Sequence, residues 1–422
     1  MQNQSMTTPH VPKQLRVLLS EGSSTSAREA ITVLGLAGHM VEVCDPASYC
    51  LARFSRFVRK FHRCPGLRDD PSGFLSFVEQ LLATRRFDVL LPIHEQGFLF
   101  ARVQQRLRAG VGIALPSFDS YRTAHSKAGF SRLLDELGLP QPATHFAKSA
   151  DELSDIVRFP CVVKTSIGTA SRGIWIVDDN AGLARALQDL NANDAFADEV
   201  LVQNFVAGAI EHAQSIFCRG KLRGFHAYRE VAAGAGGGDA IKESVRRPDV
   251  QTHVATIGER LGWHGALSVD YILPNEGISP IYIDCNPRLV EPMSAYLAGL
   301  NLVELLLQVS QGETPPTAPD SSAGVRTHLA MQALLGCALR GGTRLDVIRE
   351  CEFLLTRRGP YVDSVEELTP VRLDWMSAVP VAMTAIFLLV APTLATTMAK
   401  RGWGAHLLDV RSIRLIQNEN FH

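Results

Sequence analysis

"IYIDCNPRLVEP", residues 281–292, places three polar side chains at the end of an otherwise apolar strand. Asp284, Asn286 and Arg288 occupy alternate positions, with Cys285 between the first two. Because side chains alternate between the two faces of a β-strand, the three polar groups are predicted to share one face. An exposed polar strand end would produce the same pattern. Partner residues elsewhere in the chain must decide between these two interpretations.

The composition of the whole chain limits the class of protein to which it can belong. Of 422 residues, 46% are hydrophobic, and 42 basic side chains balance 43 acidic ones. Because the basic and acidic charges balance, no nucleic-acid partner is expected. The length of the chain predicts several structural units. The eight cysteines are scattered without a C-x-x-C pair, which is typical of reduced thiols. Residues 1–14 resemble a flexible lead and not a secretory signal, so we expect a cytoplasmic protein.

The first part of the chain alternates strand and helix patterns. "QLRVLLSEG" (14–22) and "MVEVCD" (40–45) are predicted strands, and the segment between them is a predicted helix. This order predicts an α/β fold that opens with a doubly wound, Rossmann-like unit over 15–116. No G-x-G-x-x-G sequence follows the first strand, so a dinucleotide site is not expected there. Glu95 follows the strand "FDVLLPI" (87–93), where it could face a substrate or be a solvated loop acid.

A loop of small residues follows a later strand. "KTSIGTASRG" (164–173) combines small residues with Lys164 and Arg172. Small residues let backbone N–H groups approach an anion, and the two cations add positive charge. A second strand pattern follows, so the loop is either a phosphate-binding turn between two strands or an ordinary hairpin.

Other segments appear in a particular order around this loop. Lys127 lies in "HSKAGF" (125–130), "VLVQNFVAG" (200–208) is an apolar strand that runs into a turn, and Asp270 lies in "ALSVDYIL" (266–273). Taken with residues 281–292, these segments resemble the ATP-grasp family over about residues 15–312. The resemblance implies a Rossmann-like domain before the grasp fold, which would span 117–312.

The resemblance implies a binding site for ATP. Lys127 and Lys164 would contact the phosphates, and the loop would close over them. Residues 203–206 would hold adenine largely through the backbone, and Glu211 would bind the ribose. The full set implied for the nucleotide is Lys127, Lys164, Gly168, Thr169, Ser171, Arg172, Gly173, Gln203, Asn204, Phe205, Val206 and Glu211.

The resemblance also implies a metal site and a catalytic residue. Asp270, Asp284 and Asn286 would bind Mg²⁺, a hard cation that prefers oxygen ligands, and Mn²⁺ could replace it. The family often has Glu where this chain has Asp270 and Asp284, so the number of metal ions stays open. Arg288 would steady the transferred phosphoryl group or the acyl phosphate.

The implied function is that of an ATP-dependent ligase. A small carboxylate would be activated as an acyl phosphate and joined to an amine or similar nucleophile, with release of ADP and phosphate. A carbamoyl-phosphate-synthetase-like enzyme and a non-catalytic, nucleotide-binding regulatory protein are the alternatives. The substrates do not follow from the nucleotide motifs, and a homodimer is an open alternative to a monomer.

The last part of the chain carries no readable motif. A Pro/Ser-rich linker at 313–323 precedes residues 324–422, which are predicted to form a separate accessory region. Its segment 376–399 has no charged residue, but Pro380 and Pro392 interrupt it. We expect a packed or surface-lying helix pair, with apposition to the inner face of a membrane as the alternative.

Overall fold

The fold is described from a computed structural model that covers residues 14–84, 86–168, 173–275, 279–368, 372–401 and 407–418. Within these ranges the strands form three sheets. The first is parallel, in the order β3-β2-β1-β4. Its strands are β1 (Arg16–Leu19), β2 (Met40–Asp45), β3 (Val58–Arg63) and β4 (Val89–Leu91). Its helices are α1 (Thr25–Leu36), α2 (Pro71–Thr84), α3 (Gln96–Arg102) and α4 (Gln104–Arg108). The predicted α/β fold with a parallel first sheet is confirmed.

Helix α1 is buried along most of its length. It begins after Ser24, whose side chain accepts a hydrogen bond from the Ala27 N–H and so caps the first turn. The residues from Thr25 to Leu34 are all buried. A segment distant in sequence contacts the helix, because the Met293 N–H donates to Glu29 Oε2 at 2.9 Å. The first sheet is therefore packed directly against the rest of the molecule.

The second sheet is small and antiparallel, in the order β5-β8-β6-β7. Its strands are β5 (Thr144–Ala147), β6 (Cys161–Thr165), β7 (Ile174–Val177) and β8 (Val200–Asn204). Helices α5 (Phe118–His125) and α6 (Lys127–Leu137) precede it, and α7 (Ala150–Ile156) and α8 (Asn180–Ala192) lie between its strands in sequence. Strands β6 and β7 pair on either side of the small-residue loop, as the sequence pattern predicts.

In the third sheet the described strands follow the order β13-β12-β9-β10-β11-β14-β15. They are β9 (Gly208–Cys218), β10 (Lys221–Ala233), β11 (Asp239–Val245), β12 (Gly265–Pro274), β13 (Ile281–Asn286), β14 (Arg326–His328) and β15 (Ser364–Glu366). Helix α9 (Pro248–Arg260) covers one face so closely that a Cβ on Gly258 would lie 2.0 Å from the Phe217 ring. Helices α10 (Met293–Leu297) and α11 (Leu302–Ser310) follow β13. This sheet places the metal-binding candidates at its β12–β13 end.

The C-terminal region joins the third sheet and does not form a sheet of its own. Strand β14 pairs with β11, and β15 pairs with β14. Farther along, Asp374 forms a fully buried ion pair with Arg28 of α1 at 2.8 Å. The Leu408 N–H donates to the Glu95 carboxylate near β4. Sheet pairing and buried polar contacts therefore cross the boundary predicted at 323–324, and the division into domains stays a prediction.

A buried cluster of charged residues connects three parts of the chain. Lys242 of β11 lies 2.8 Å from Glu367, and its ammonium also contacts Glu291. Thr25 of α1 donates to Glu291 at 3.0 Å. Burial, together with Glu367 and Glu291, raises the pKa of the nearby Glu29 well above its usual value. A single ammonium thus compensates carboxylates from distant parts of the sequence.

The remaining helices are α12 (Ala330–Leu339), α13 (Arg344–Thr356), α14 (Ala378–Val390), α15 (Leu394–Arg401) and α16 (Val410–Asn418). The apolar segment 376–399 contains α14 and most of α15. Residues 391–393, which include Pro392, separate the two helices. The predicted helix pair is confirmed. Among the described residues, no helix has both the length and the apolar character that crossing a membrane requires.

Candidate functional site

The polar face predicted from residues 281–292 forms on paired strands. Asp284 of β13 lies directly opposite Asp270 of β12, and Asn286 lies opposite Ser268. The Asn286 side-chain amide donates to Asp270 Oδ2 at 3.1 Å. Arg288, just beyond the strand, donates to Asn286 Oδ1 at 3.2 Å. The pairing therefore brings together the three proposed metal ligands and the proposed catalytic arginine.

Lys127 reaches this face from the first turn of α6. Ser126 caps the helix, and the Lys127 N–H donates to Ser166 O at 2.8 Å, which fixes the helix start beside the small-residue loop. The Lys127 ammonium lies 2.8 Å from Asp284 Oδ2 and donates to Gly168 O at 2.8 Å. A single cation therefore contacts both the metal face and the first described part of the loop.

Lys164 approaches the same strand from β6. Its ammonium donates to Ile283 O at 2.9 Å, one residue before Asp284. Burial lowers the pKa of Lys164 to about 8, with Asp284 opposing and Lys127 adding to the shift. The two lysines of the predicted phosphate site are therefore both buried, and both lie beside β13.

The loop between β6 and β7 is described at its two ends. Gly173 has a φ of 74°, and a Cβ there would lie 2.2 Å from Thr165 Oγ1, so this position requires glycine. Gly168 accepts the hydrogen bond from Lys127. The predicted loop residues Thr169, Ser171 and Arg172 lie outside the described residues, and their assignment stays a prediction.

The predicted adenine segment follows the end of β8 in the sheet that carries Lys164. Gln203 is buried, and its side-chain amide donates to Thr144 Oγ1 at 3.0 Å. Asn204 and Phe205 are exposed, and Val206 is half-buried. The segment thus offers an accessible strand end in the sheet that carries Lys164, although Lys164 itself lies opposite Leu201 in the strand register. The assignment itself stays a prediction.

Glu211 lies apart from the other candidates. In the pairing of β12 with β9, Tyr271 lies opposite Glu211, whereas Asp270 lies opposite His212. Glu211 therefore points to the side of the sheet away from Asp270. Its buried carboxylate accepts from Arg247 Nε at 2.7 Å and from the Tyr271 hydroxyl at 2.8 Å. The structure does not bring Glu211 onto the metal face, and its ribose role stays a prediction.

His212 is a site residue that the sequence reasoning missed. Its Nδ1 lies 2.7 Å from Asp270 Oδ1, and its Nε2 lies 3.7 Å from Asp239 Oδ1. Burial lowers the pKa of His212, but the two carboxylates outweigh burial and raise the pKa well above its usual value. Only the register that places His212 opposite Asp270, 58 residues away, identifies it, so no local signal could have found it.

The donor set fits a metal ion that shares its coordination with another ligand. Asp270, Asp284 and Asn286 supply oxygen atoms, which suit Mg²⁺. Over the residues that the structure describes, no group of three or more His, Cys, Asp or Glu side chains could hold a metal ion. Two carboxylates and an amide would therefore need phosphate or water oxygens to complete the coordination.

A small cavity of ≈10 Å³, with room for about one water molecule, lies between these groups and the residues that follow β4. It is lined by Lys127, Asp284, Asn286, Arg288 and Glu95, among others. Glu95 is only 3% exposed, which excludes the interpretation as a solvated loop acid. Its carboxylate also accepts the Leu408 N–H, so the C-terminal region reaches the wall of this cavity.

The sequence is related to part of a larger enzyme. It is 27% identical over 225 residues to the carbamoyl phosphate synthase large chain of Thermus thermophilus, covering 49% of this chain and 21% of that one. The corresponding match to the Rhodopirellula baltica protein of the same name is 28% over 223 residues, covering 49% and 20%. The chain thus spans about a fifth of the length of these relatives. No family model matches the sequence.

Solved structures resemble this fold over most of its length. An L-amino acid ligase from Bacillus licheniformis is 17% identical with a TM-score of 0.53, covering 72% of this chain and 75% of that one. The ADP complex of an N5-carboxyaminoimidazole ribonucleotide synthetase is 14% identical with a TM-score of 0.59, covering 79% and 86%. A biotin carboxylase from Campylobacter jejuni is 14% identical with a TM-score of 0.58, covering 74% of each chain. These neighbours are ATP-grasp ligases, so the resemblance read from the sequence is confirmed at the level of the fold.

Proposed function

We propose, from its ATP-grasp fold, that the chain is a ligase that uses ATP to activate a carboxylate and joins it to an amine or similar nucleophile. The observation that carries this proposal is the convergence of Lys127, Asp284, Asn286 and Arg288 on one cavity. Such a cavity combines a cation for phosphate, oxygen ligands for a metal and a guanidinium for developing negative charge. The fold shared with ligases and a biotin carboxylase supports the assignment.

Lys127 and Lys164 would bind the nucleotide phosphates. Both ammonium groups are buried beside β13, where low solvent exposure strengthens their interaction with an anion. The strand end at 203–206 would bind adenine. Glu211 would bind the ribose only if Arg247 or Tyr271 released a carboxylate oxygen, since both now donate to it.

Asp270, Asp284 and Asn286 would hold Mg²⁺, or Mn²⁺ in its place. When bound, the metal would neutralise negative charge on the phosphate oxygens. His212 Nδ1 donates to the Asp270 carboxylate and so holds it in position from the side opposite Asn286. The chain's own contribution is thus a fixed set of oxygen ligands.

The proposed reaction needs no side-chain nucleophile. A carboxylate oxygen of the substrate would attack the γ-phosphorus, and the bond to ADP would break. The amine would then attack the carbonyl carbon, lose a proton, and expel inorganic phosphate that keeps the substrate's oxygen. Arg288 would stabilise the negative charge that develops in both steps, because its guanidinium lines the cavity.

Arg288 also lines a second cleft of ≈560 Å³, which we assign to the substrates. The other walls include Thr25 of α1, the glycine-rich loop 236–238, Met331 of α12 and Met398 of α15. Its volume lies within the usual range for small-molecule sites. A carboxylate would lie at Arg288, and the apolar body of the substrate would extend towards the two methionines.

The test is a screen of amino acids and other carboxylates for stimulated release of ADP from Mg-ATP. An active pair would then be used with ¹⁸O in the carboxylate, which must appear in inorganic phosphate. Formation of AMP and pyrophosphate without labelled phosphate would exclude the acyl-phosphate route. ATP binding without substrate-dependent turnover across the screen would favour the regulatory alternative.

A carbamoyl-phosphate-synthetase-like activity is the second candidate, favoured by the named relatives that match about half of this chain. In that case the carboxylate would be bicarbonate. Bicarbonate-dependent ADP release that requires no organic acid, followed by trapping of a carbamoyl product with ammonia or an amide donor, would distinguish it from an amino-acid ligase.

A homodimer is the proposed assembly to test. The biotin carboxylase domain of Hydrogenobacter thermophilus 2-oxoglutarate carboxylase, which is 14% identical with a TM-score of 0.58, is a dimer. Light scattering coupled to size exclusion should give twice the 46.1 kDa chain mass. A mass of one chain across micromolar concentrations would exclude this assembly.

A further inference from the structure

A basic groove lies apart from the nucleotide cavity. We define the basic groove by its positively charged or titratable lining residues, which are Arg102, Arg106, Arg108, Arg219 and His264. Its volume is ≈1280 Å³, and its described lining shares no residue with the cavity around Lys127 and Asp284. The groove is therefore large enough for a metabolite and independent of the proposed catalytic groups.

The charge of the groove is strongly one-sided. No aspartate or glutamate belongs to its described lining, although the whole chain carries a formal net charge of −1. One acid outside the lining, Glu79, pairs with Arg106 at 2.7 Å. Arg102 lies over the Phe118 ring, and Arg108 donates to Leu115 O at 3.1 Å. The positive charges of Arg102, Arg108 and Arg219 thus face the groove without a carboxylate in its lining.

Arg108, Arg219 and His264 come from different elements and meet at one end of the groove. The Arg219 N–H donates to His264 Nδ1 at 3.3 Å, which requires the imidazole to be neutral. Burial and both arginines lower the pKa of His264 to about 4. Burial and Arg219 also lower the pKa of Arg108. Two like charges line the same groove here, an arrangement that an anion between them would stabilise.

The turn that carries Arg219 does not itself call for arginine. Arg219 has a φ of 50° and is followed by Gly220, in the two-residue connection of β9 to β10. Asn-Gly and Gly-Gly are the sequences that fit such left-handed turns without strain. The backbone therefore does not explain a long cationic side chain at this position, which lines the groove.

We infer that the basic groove binds a small, multiply charged anion, such as a phosphorylated metabolite, at a site separate from the nucleotide cavity. The guanidiniums of Arg108 and Arg219 bind the anionic group, and His264 supplies a neutral ring beside them. Lining residues come from α3 and α4, from the β9–β10 turn and from the end of α11, so the ligand contacts elements that are distant in sequence.

The probe is inorganic tripolyphosphate, titrated by calorimetry into the full chain. The Lys127→Ala/Lys164→Ala double variant serves as the background, since it removes the proposed phosphate contacts of the nucleotide site. Adding Arg108→Gln and Arg219→Asn to it should weaken the remaining binding at least about tenfold, because each charge-assisted contact contributes substantially. Asn is tolerated in the left-handed turn, so the fold should persist.

The matched control adds Arg185→Gln and Arg349→Gln to the same background. Both arginines are exposed and lie outside the groove, and the change removes the same net charge. Unchanged affinity in the control, with weakened affinity in the groove variant, supports the inference. Two results would overturn it. One is that tripolyphosphate does not bind to the Lys127→Ala/Lys164→Ala background, and the other is that the groove and control variants lose affinity equally. Neither result depends on whether the chain is a ligase.

Discussion

The ammonium of Lys127 lies 2.8 Å from a carboxylate oxygen of Asp284, across 157 residues of sequence. This ion pair connects the start of α6 to β13 and therefore places the proposed phosphate-binding group on the proposed metal face. The side chain of Lys127 is 5% exposed and that of Asp284 is 23% exposed. The carboxylate is thus the more accessible partner, as a metal ligand must be.

Removal of either buried lysine should weaken ATP binding. Lys127→Ala or Lys164→Ala deletes a charge-assisted contact worth about 1.5–3 kcal/mol, which corresponds to about a 10- to 100-fold rise in Kd. Calorimetry with a non-hydrolysable ATP analogue and Mg²⁺ measures the change. Lys148→Ala is the control, because Lys148 is 73% exposed and should be neutral. Equal Kd values for the parent, the two lysine variants and the control would contradict the assignment of these lysines to the phosphates.

Substitution of the metal face should abolish turnover without loss of the fold. Asp284→Asn keeps the shape of the side chain but removes the charge, and we expect ADP release to fall by at least about 100-fold because the metal loses a ligand. Circular dichroism should remain that of the parent protein. Asp320→Asn, at an exposed linker position, is the matched control. Full ADP release by the Asp284 variant would contradict the metal assignment.

The affinity for ATP should fall at alkaline pH. Burial lowers the pKa of Lys164 to about 8, so the side chain is mostly the ammonium below pH 8 and mostly the neutral amine above it. Phosphate binding needs the ammonium, and Kd should rise through this range, by up to about tenfold per pH unit above the pKa. Lys164→Arg stays protonated and should give a flatter profile between pH 7.5 and 9.5. Parallel profiles for the two proteins would assign the titration to another group.

The buried charge cluster should be essential for stability. Lys242→Met leaves Glu291 and Glu367 without their cation, and breaking a buried ion pair from one side costs about 3–5 kcal/mol. Urea denaturation would measure the free energy of unfolding. The control is Lys221→Met, since the Lys221–Glu259 pair is exposed and should contribute little to stability. Similar losses for both variants would show that the cluster is not a special stabilising element.

Truncation should disrupt the fold and not simply detach a region. A chain that ends at residue 320 lacks β14 and β15, and it also lacks Asp374, the ion-pair partner of Arg28, and Glu367, one of the two carboxylate partners of Lys242. We expect aggregation or a markedly lower Tm, measured by differential scanning fluorimetry. The same truncation carrying Arg28→Met tests the cause, because it removes the buried cation that has lost its carboxylate partner. A truncated parent with an unchanged Tm would contradict this expectation.

The sequence predicted those parts of the fold that have strong local patterns. Strands β1 and β2 are apolar and flank a capped helix, so periodicity was sufficient to find them. Strand β3, with the sequence "VRKFHR", was missed because it lies at the sheet edge, where alternating charges are exposed and no apolar run is required. Strand β14 was missed for a related reason, since its three residues are too few to show a period.

The candidate site was predictable where residue order carried the information. Asp284 and Asn286 could be placed on one face because strand alternation is a local rule, whereas Asp270 was implied by the family resemblance and its place opposite Asp284 depends on register. His212 and the contact of Glu95 with Leu408 could not be predicted, because they depend on the register or packing of segments 58 and 313 residues apart. The side of the sheet on which Glu211 lies likewise follows from pairing and not from its neighbours in sequence.

The hydrogen bond from the Leu408 N–H to Glu95 also affects the order in which the protein can mature. A chain synthesised from its N-terminus cannot close this contact until residue 408 has left the ribosome, more than 300 residues after Glu95. Until then the Glu95 carboxylate, one wall of the nucleotide cavity, lacks this donor. Contacts of such long sequence separation form slowly and expose incomplete surfaces to aggregation. The proposed site is thus completed late in biogenesis, after most of the sheet scaffold is already available for folding.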